Sequence, residues 1–156
     1  MADLTVTIKE DITVNGHQYG GTKMYTVSSI VDVYKRILTV PSGVDTTLAS
    51  FKATVGSSDS AMDIQNVKYI RVTNLDSSNT VNLSLQIDTD KDDSAADDSA
   101  TILLEAGKSF ILGTPHDSVA VNSAAATVIT ALTDLESILV DSSSHAVRME
   151  LLIASI

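Results

Sequence analysis

Apolar and polar residues alternate along many short stretches of this chain. In residues 81–87, Val81, Leu83, Leu85 and Ile87 are separated by Asn, Ser and Gln. A period of two is typical of a β-strand with one buried side and one solvent-facing side. Similar apolar stretches lie at residues 4–8, 12–14, 46–55, 67–75, 100–104, 108–112, 135–140 and 147–156, and two more lie within residues 22–39. The pattern therefore predicts roughly ten short strands.

The residues between these stretches are those that turn a chain. Asn15-Gly16 favours the positive φ angles of a tight hairpin, and Gly20-Gly21 predicts a second turn. We expect a change of strand direction near Ser28-Ser29. The polar residues 76–79 predict a hairpin that joins the strands on either side of them.

One section does not follow a clear strand pattern. Residues 118–132 include the small-residue run Ala-Ala-Ala at 124–126, which suits either a strand with a helical turn or a pair of strands. Residues 131–136 could form one helical turn capped by Thr130 or Thr133. Long helices that would alternate with strands in a parallel sheet are not indicated. We therefore expect one all-β domain over residues 1–156, an antiparallel β-sandwich.

The net charge of the chain limits the classes of partner that it is expected to bind. The formal net charge is −10, from 20 acidic and 10 basic residues. Nucleic acids and anionic membranes are bound mainly by clustered Lys and Arg, so we expect neither as a partner. The first residues, Met-Ala-Asp-Leu-Thr, lack a basic segment followed by an apolar one, and no secretory signal is predicted.

Candidate catalytic groups are sparse. Cysteine is absent, which excludes disulfides and thiolate chemistry and indicates synthesis in a cytosol. His17, His116 and His145 each lie beside a predicted turn, and no two of them have the spacing of metal ligands. No Gly-x-Ser-x-Gly elbow and no phosphate-binding glycine loop occurs. We therefore predict a protein that is not an enzyme and needs no cofactor.

The acidic segment at residues 88–98 is the one candidate cation site. Asp88, Asp90 and Asp92 alternate as they do at the start of a calcium-binding EF-hand loop. The match then fails, because Asp93 and Ser99 stand where that loop has Gly and Glu. Two hypotheses remain, a Ca²⁺ site on Asp88, Asp90 and Asp92, or a solvated acidic loop.

Glu150 is the one acid inside a long predicted strand. Alternation places it on the same face as Arg148 and Leu152. It could form a salt bridge to another subunit, or it could pair across the sheet within its own chain, which we favour.

Two predicted strands and the link between them resemble those of a known class of proteins. Residues 67–76, Val-Lys-Tyr-Ile-Arg-Val-Thr-Asn-Leu-Asp, and residues 81–87, Val-Asn-Leu-Ser-Leu-Gln-Ile, resemble small virion proteins of tailed bacteriophages. Residues 102–112 and 146–154 fit the same pattern. The resemblance implies a jelly-roll-like sandwich that decorates or cements a capsid, or forms part of the neck, without catalysis. It also implies a location in the virion after synthesis in the host cytoplasm.

The partners implied by the resemblance are major capsid or neck proteins and further copies of the chain, as a trimer or a ring. Both apolar ends, residues 1–6 and 151–156, could add a strand to a neighbouring subunit. The alternative function is a calcium-assisted carbohydrate- or receptor-binding β-sandwich. A β-fold hydrolase or isomerase ranks last, since no histidine and carboxylate constellation supports it.

Overall fold

The computed structural model describes residues 1–53, 60–91, 96–122 and 128–156, and every regular element within these ranges is a β-strand. No helix in these ranges could cross a membrane. The strands are β1 (Ala2–Lys9), β2 (Thr13–Val14), β3 (His17–Gln18), β4 (Thr22–Ile30), β5 (Asp32–Val40), β6 (Thr46–Lys52), β7 (Met62–Asp63), β8 (Val67–Asn74), β9 (Val81–Asp88), β10 (Asp98–Leu104), β11 (Ser109–Leu112), β12 (Asp134–Asp141) and β13 (Val147–Ser155).

Two sheets form the body of the molecule. One has the order β11-β8-β13-β5, and the other has the order β10-β9-β12-β6-β7. All neighbours are antiparallel except the short β6–β7 pair. Without β7, the first of the eight body strands pairs with the last and the second pairs with the seventh, which is the nested order of a jelly roll. The expected all-β, antiparallel, jelly-roll-like sandwich is confirmed.

The core between the sheets is aliphatic. Leu83, Leu135, Ile138 and Leu151 are fully buried, and Phe51 is the largest side chain that is fully buried among the described residues. Burying one such side chain contributes about 1.5–3 kcal/mol, and branched residues fit the pleated surface well. Alternation along the strands therefore decides which side of each sheet faces inward.

The polar link at residues 76–79 is not a hairpin, so that prediction is wrong. It carries the chain from β8 in one sheet to β9 in the other. The Asp76 carboxylate accepts the backbone N–H groups of Ser78 (2.9 Å) and Asn79 (2.8 Å), and these bonds lower the pKa of Asp76. The fully buried Asn74 side chain donates to the carbonyls of Asn79 (2.9 Å) and Leu104 (3.2 Å) and fixes the crossing.

Two further turn predictions are wrong. Gly20-Gly21 does not turn the chain but lets one strand pass the other closely, because a Cβ on Gly20 would collide with the Glu10 carbonyl oxygen. Residues 131–136 form no helical turn, since Thr133 donates its backbone N–H to Val119 (2.7 Å) and β12 begins at the next residue. Residues 54–59 and 123–127, which include Val55 and the Ala-Ala-Ala run, lie outside the described residues.

Residues 1–30 form a two-stranded arm that precedes the jelly roll. β1 pairs with β4, and β2 pairs with β3 at the tip around Asn15 (φ 52°) and Gly16 (φ 79°), so the hairpin predicted there is confirmed. The change of direction near Ser28-Ser29 is also confirmed. Ser29 has a φ of 66°, and only Val31 separates β4 from β5.

Candidate functional site: the N-terminal arm and an acidic cluster

The base of the arm packs on the outer face of the four-stranded sheet. Val6 and Ile30 of the arm are buried against Tyr69 and Ala154 of the body. Burial raises the pKa of Tyr69, and the nearby Tyr25 adds to this effect. These few contacts hold the arm to the body and leave its outer part uncovered by the rest of the described chain.

The outer part of the arm carries large apolar side chains that face solvent. Tyr19 and Met24 are each 69% exposed. Large apolar side chains on the arm that are more than two fifths exposed are Met1, Ile8, Ile12, Val14, Tyr19, Met24 and Tyr25. Tyr25 stands opposite Val6 and Met24 opposite Thr7, so the exposed apolar side chains lie on both faces of the arm. A concentration of exposed apolar side chains on a soluble protein is typical of a site of interaction.

The predicted cation site is assembled in part. Oxygen atoms of Asp88, Asp90 and Asp97 all lie within 4.8 Å of one another, while Asp92 lies outside the described residues. Asp97 accepts hydrogen bonds from the Thr89 hydroxyl (2.6 Å) and backbone N–H (2.9 Å), which lower its pKa. Asp88 accepts the backbone N–H of the residue at position 91 (2.6 Å). The carboxylates are thus gathered by the turn itself, and their geometry suits a hard cation.

A second acidic group lies next to the first and contains its own cation. Asp134 stands opposite Asp88 in the β12–β9 register, and both are buried. The Lys91 ammonium group bonds Asp117 and lies 3.9 Å from Asp134, and His116 Nδ1 lies 3.1 Å from Asp117. The hydrogen bond between Lys91 and Asp117 raises the pKa of Lys91 and lowers the pKa of Asp117. Lys91 therefore supplies positive charge beside the acidic segment for which the sequence left two hypotheses, a Ca²⁺ site or a solvated acidic loop.

Sequence reasoning missed Asp117 and Asp134 in this group. Asp134 follows a run of polar and apolar residues without a clear period, and its position opposite Asp88 depends on strand order. The available signal is that Asp134 directly precedes a predicted strand, while no local pattern marks Asp117.

Glu150 pairs within its own chain, as we favoured. Its carboxylate bonds Arg71 on β8 and lies 3.1 Å from Lys35 Nζ on β5, and its side chain is 13% exposed. The hydrogen bond from Lys35, followed by the charges of both cations, lowers the pKa of Glu150. Glu150 therefore ties three strands together across the outer face of the sheet.

Four clefts lie on the surface of the described residues. The largest is ≈ 630 Å³ and lies beside Tyr34, Arg36 and Met62. Another, of ≈ 270 Å³, is lined by Asp45, Asp141 and neutral polar side chains. None of the four main clefts has a histidine among the described residues that line it. His17 and His145 are exposed.

The apolar C-terminal strand does not offer the edge that we expected of it. β13 lies between β8 and β5, so both of its edges are already paired. β1 differs, since in the described structure it pairs with β4 alone. Of the two ends predicted to add a strand to a neighbour, the first remains a candidate and the second is excluded.

Comparisons of the chain with protein-family models, with curated proteins and with solved structures find no match. The assignment of function therefore depends on the arm, the acidic cluster and the fold of the body.

Proposed function

We propose that this chain is a non-catalytic structural subunit of a virus particle, which decorates and stabilises the capsid or forms part of the neck. It binds major capsid or neck proteins, and further copies of itself, through the N-terminal arm. The observation that carries the proposal is the set of large apolar side chains that the arm exposes.

The outer part of the arm is a two-stranded ribbon with apolar side chains exposed to solvent, and this arrangement is energetically unfavourable in an isolated molecule. Two strands alone are marginally stable in water and need a third strand or a packed face. Beyond Val6 and Ile30, the arm has no buried apolar side chain among the described residues. A partner that covers Tyr19 and Met24 would supply the missing burial, at about 25 cal/mol per Å² of apolar surface.

The fold of the body agrees with this role by analogy. Jelly rolls are typical of viral capsid and lectin domains, although a fold alone does not determine a function. The strands at residues 67–76 and 81–87 carry the resemblance to phage virion proteins. Both observations support a particle subunit over a catalyst.

The direct test is to quantify the chain in virus particles purified from the system that encodes it. We expect it in many copies per particle, at a fixed ratio to the major capsid or neck protein, by quantitative mass spectrometry. Its absence from intact particles would overturn the proposal.

A second test separates the arm from the rest of the surface. The variant Ile12→Thr/Tyr19→Ser/Met24→Ser should remain folded but fail to attach to particles that lack the native chain. The matched control, Leu103→Ser/Val128→Ser, removes apolar side chains that are 62% and 90% exposed on the body. We expect the control to attach normally, and equal attachment of both variants would exclude the arm.

The convergence of Asp88, Asp90 and Asp97 favours calcium-assisted glycan or receptor binding as the second candidate. Calorimetry with CaCl₂ and a panel of oligosaccharides distinguishes the two functions. If the chain is a particle subunit, we expect no calcium-dependent affinity for any sugar. Such an affinity, lost in Asp90→Asn, would reverse the ranking.

A further inference from the structure

We infer that the polar cleft on the outer face of the five-stranded sheet receives an arginine side chain of a partner protein, whose guanidinium group lies between Asp45 and Asp141. The inference rests on the proposed function and deepens it, because it adds a contact on the body and names the chemistry of the partner. The cleft has a volume of ≈ 270 Å³ and is lined by side chains of β9, β10 and β12 and by Asp45.

The two carboxylates stand at facing positions of neighbouring strands. In the β12–β6 pair, Val140 stands opposite Thr46. The next step of this register sets Asp141 opposite Asp45, which directly precedes β6, and both side chains line the cleft. Like charges directly opposite each other destabilise a sheet. A cation bound between the two carboxylates would remove this repulsion.

The described part of the chain supplies no counter-charge for these two acids. Neither Asp45 nor Asp141 takes part in its ion pairs, and no lysine or arginine lines the cleft there. The Oδ1 atom of Asp141 is buried and accepts no hydrogen bond from these residues. Buried polar atoms are normally hydrogen-bonded, so this carboxylate needs donors that approach from the cleft.

The neutral side chains of the cleft use their donors elsewhere. The Gln86 amide donates to the Ser84 hydroxyl oxygen (2.7 Å), and the Thr101 hydroxyl donates to the same oxygen (3.2 Å). These bonds lie further along β9 than Asn82, which stands opposite Asp141. Uncompensated negative charge is therefore concentrated at one end of the cleft, and a positively charged group fits that end.

The lining favours a guanidinium group over a metal ion. Ca²⁺ takes about six to eight oxygen ligands, whereas the next side chain along this face of β12 is the apolar, half-buried Leu139. An aliphatic stem can pack on Leu139 while its charged head reaches the two carboxylates. The planar guanidinium group also presents its donors in a rigid fork that matches carboxylate oxygens. An arginine side chain combines both features.

The distribution of charge favours a basic protein as the source of this side chain. Residues 1–40 contain four acids and four bases, so the whole formal net charge of −10 lies in residues 41–156. A surface of one sign attracts a partner of the opposite sign and accelerates their encounter. We therefore assign the arginine to the capsid or neck protein of the proposed function.

The first test uses the ¹⁵N-labelled full-length chain, with N-acetyl-arginine amide as the probe and N-acetyl-citrulline amide as the uncharged control. We expect the arginine probe to shift the amide signals of residues 45, 82 and 139–141 until they saturate, and the citrulline probe to leave them unchanged. Equal responses to the two probes, or no response to either, would overturn the inference. A response of these signals to CaCl₂ without one to the arginine probe would also overturn it.

Two variants test the roles of the aspartates. Asp45→Asn and Asp141→Asn should each weaken binding of the arginine probe about tenfold, the loss expected for one charge-assisted hydrogen bond. Each should also raise the midpoint of urea unfolding, because it removes the repulsion between the carboxylates. Glu105→Gln removes a charge outside the cleft and should leave both values near those of the wild type. Variants that bind the probe less but also unfold more easily would show a structural role and contradict the inference.

Particles that lack the native chain test the source of the arginine. The double variant Asp45→Asn/Asp141→Asn should attach to them at least about tenfold more weakly than the wild type. Attachment equal to that of the wild type would exclude an arginine of the particle as the ligand. The arm variant Ile12→Thr/Tyr19→Ser/Met24→Ser should bind the arginine probe as the wild type does. A chain that attaches through its arm but has no affinity for the probe would overturn this inference and leave the proposed function standing.

Discussion

At the scale of single residues, Glu150 illustrates what alternation predicts and what it does not. The period of two in the last strand places Arg148, Glu150 and Leu152 on one face, and an intrachain partner was favoured. The partners themselves, Lys35 and Arg71, lie on two strands that are remote in sequence. Their identity depends on the order β8-β13-β5, which no local pattern contains.

We predict that Glu150→Gln lowers the free energy of unfolding at neutral pH by about 1–2 kcal/mol, between the values of exposed and buried ion pairs. The variant leaves the half-buried Arg71 and the exposed Lys35 without their shared counter-charge. Urea unfolding measures the difference. Glu105→Gln, which removes the same charge from an exposed turn, is the control and should change stability little.

The same residue predicts a pH dependence. Its pKa is lower in the folded chain than in the unfolded chain, so the folded state binds its proton less readily. The stabilisation is therefore complete above the ordinary Glu pKa of about 4.3 and is lost as the pH falls through the folded value. The stability difference between wild type and Glu150→Gln should shrink as the pH falls from the ordinary Glu pKa through the lower pKa that Glu150 has in the folded chain. A difference that stays constant with pH would contradict the ion-pair account.

At the scale of elements, turn sequences predict that the chain changes direction, but they do not predict which sheet the next strand joins. Asp76 folds residues 76–79 with side-chain-to-backbone bonds that suit a hairpin and a crossing between sheets equally well. The destination is decided by the strands, because β8 already has β11 and β13 as its neighbours. Local chemistry was sufficient at Asn15-Gly16, where two positive φ angles determine the turn type.

Asn74 is the residue that holds this crossing, and we predict a clear cost for its removal. Asn74→Ala leaves the half-buried carbonyl of Asn79 and the buried carbonyl of Leu104 without their donor, which costs about 1–3 kcal/mol. Thermal and urea unfolding measure the loss. Asn82→Ala, on the exposed face of β9, should stay within about 0.5 kcal/mol of the wild type. Equal effects of the two variants would show that the Asn74 bonds contribute nothing.

Two adjacent glycines of the arm, Gly20 and Gly21, should respond differently to substitution by alanine. Gly20→Ala places a methyl group against the Glu10 carbonyl, whereas the same change at Gly21 meets nothing within 4 Å. We expect Gly20→Ala to increase amide hydrogen exchange along the arm while the sandwich melts as in the wild type. Gly21→Ala should leave exchange in the arm unchanged. Loosening by both variants, or by neither, would contradict the close approach of the two strands.

At the scale of the whole molecule, the fold class follows from the sequence, while strand order does not, and the described residues form thirteen strands where roughly ten were predicted. The apolar stripes at residues 81–87 and 147–156 identify a sandwich, because each stripe needs a facing sheet. The nested jelly-roll order depends on which strands meet across the core. The candidate site was predictable to the same degree, since Asp88 and Asp90 could be named while Lys91, Asp117 and Asp134 converge only through the β9–β12 pairing.

The molecule as a whole divides into a strongly acidic body and an arm that has a formal net charge of −1 and exposes apolar side chains. The account predicts that binding uses the arm and leaves the acidic cluster of Asp88, Asp90 and Asp97 free. Hydrogen–deuterium exchange of the free and the particle-bound chain tests this claim most directly. Strong protection of residues 2–25 on binding, with exchange near residues 88–91 unchanged, is the predicted result. Protection confined to residues 88–98, with an arm that exchanges as it does in the free chain, would contradict it.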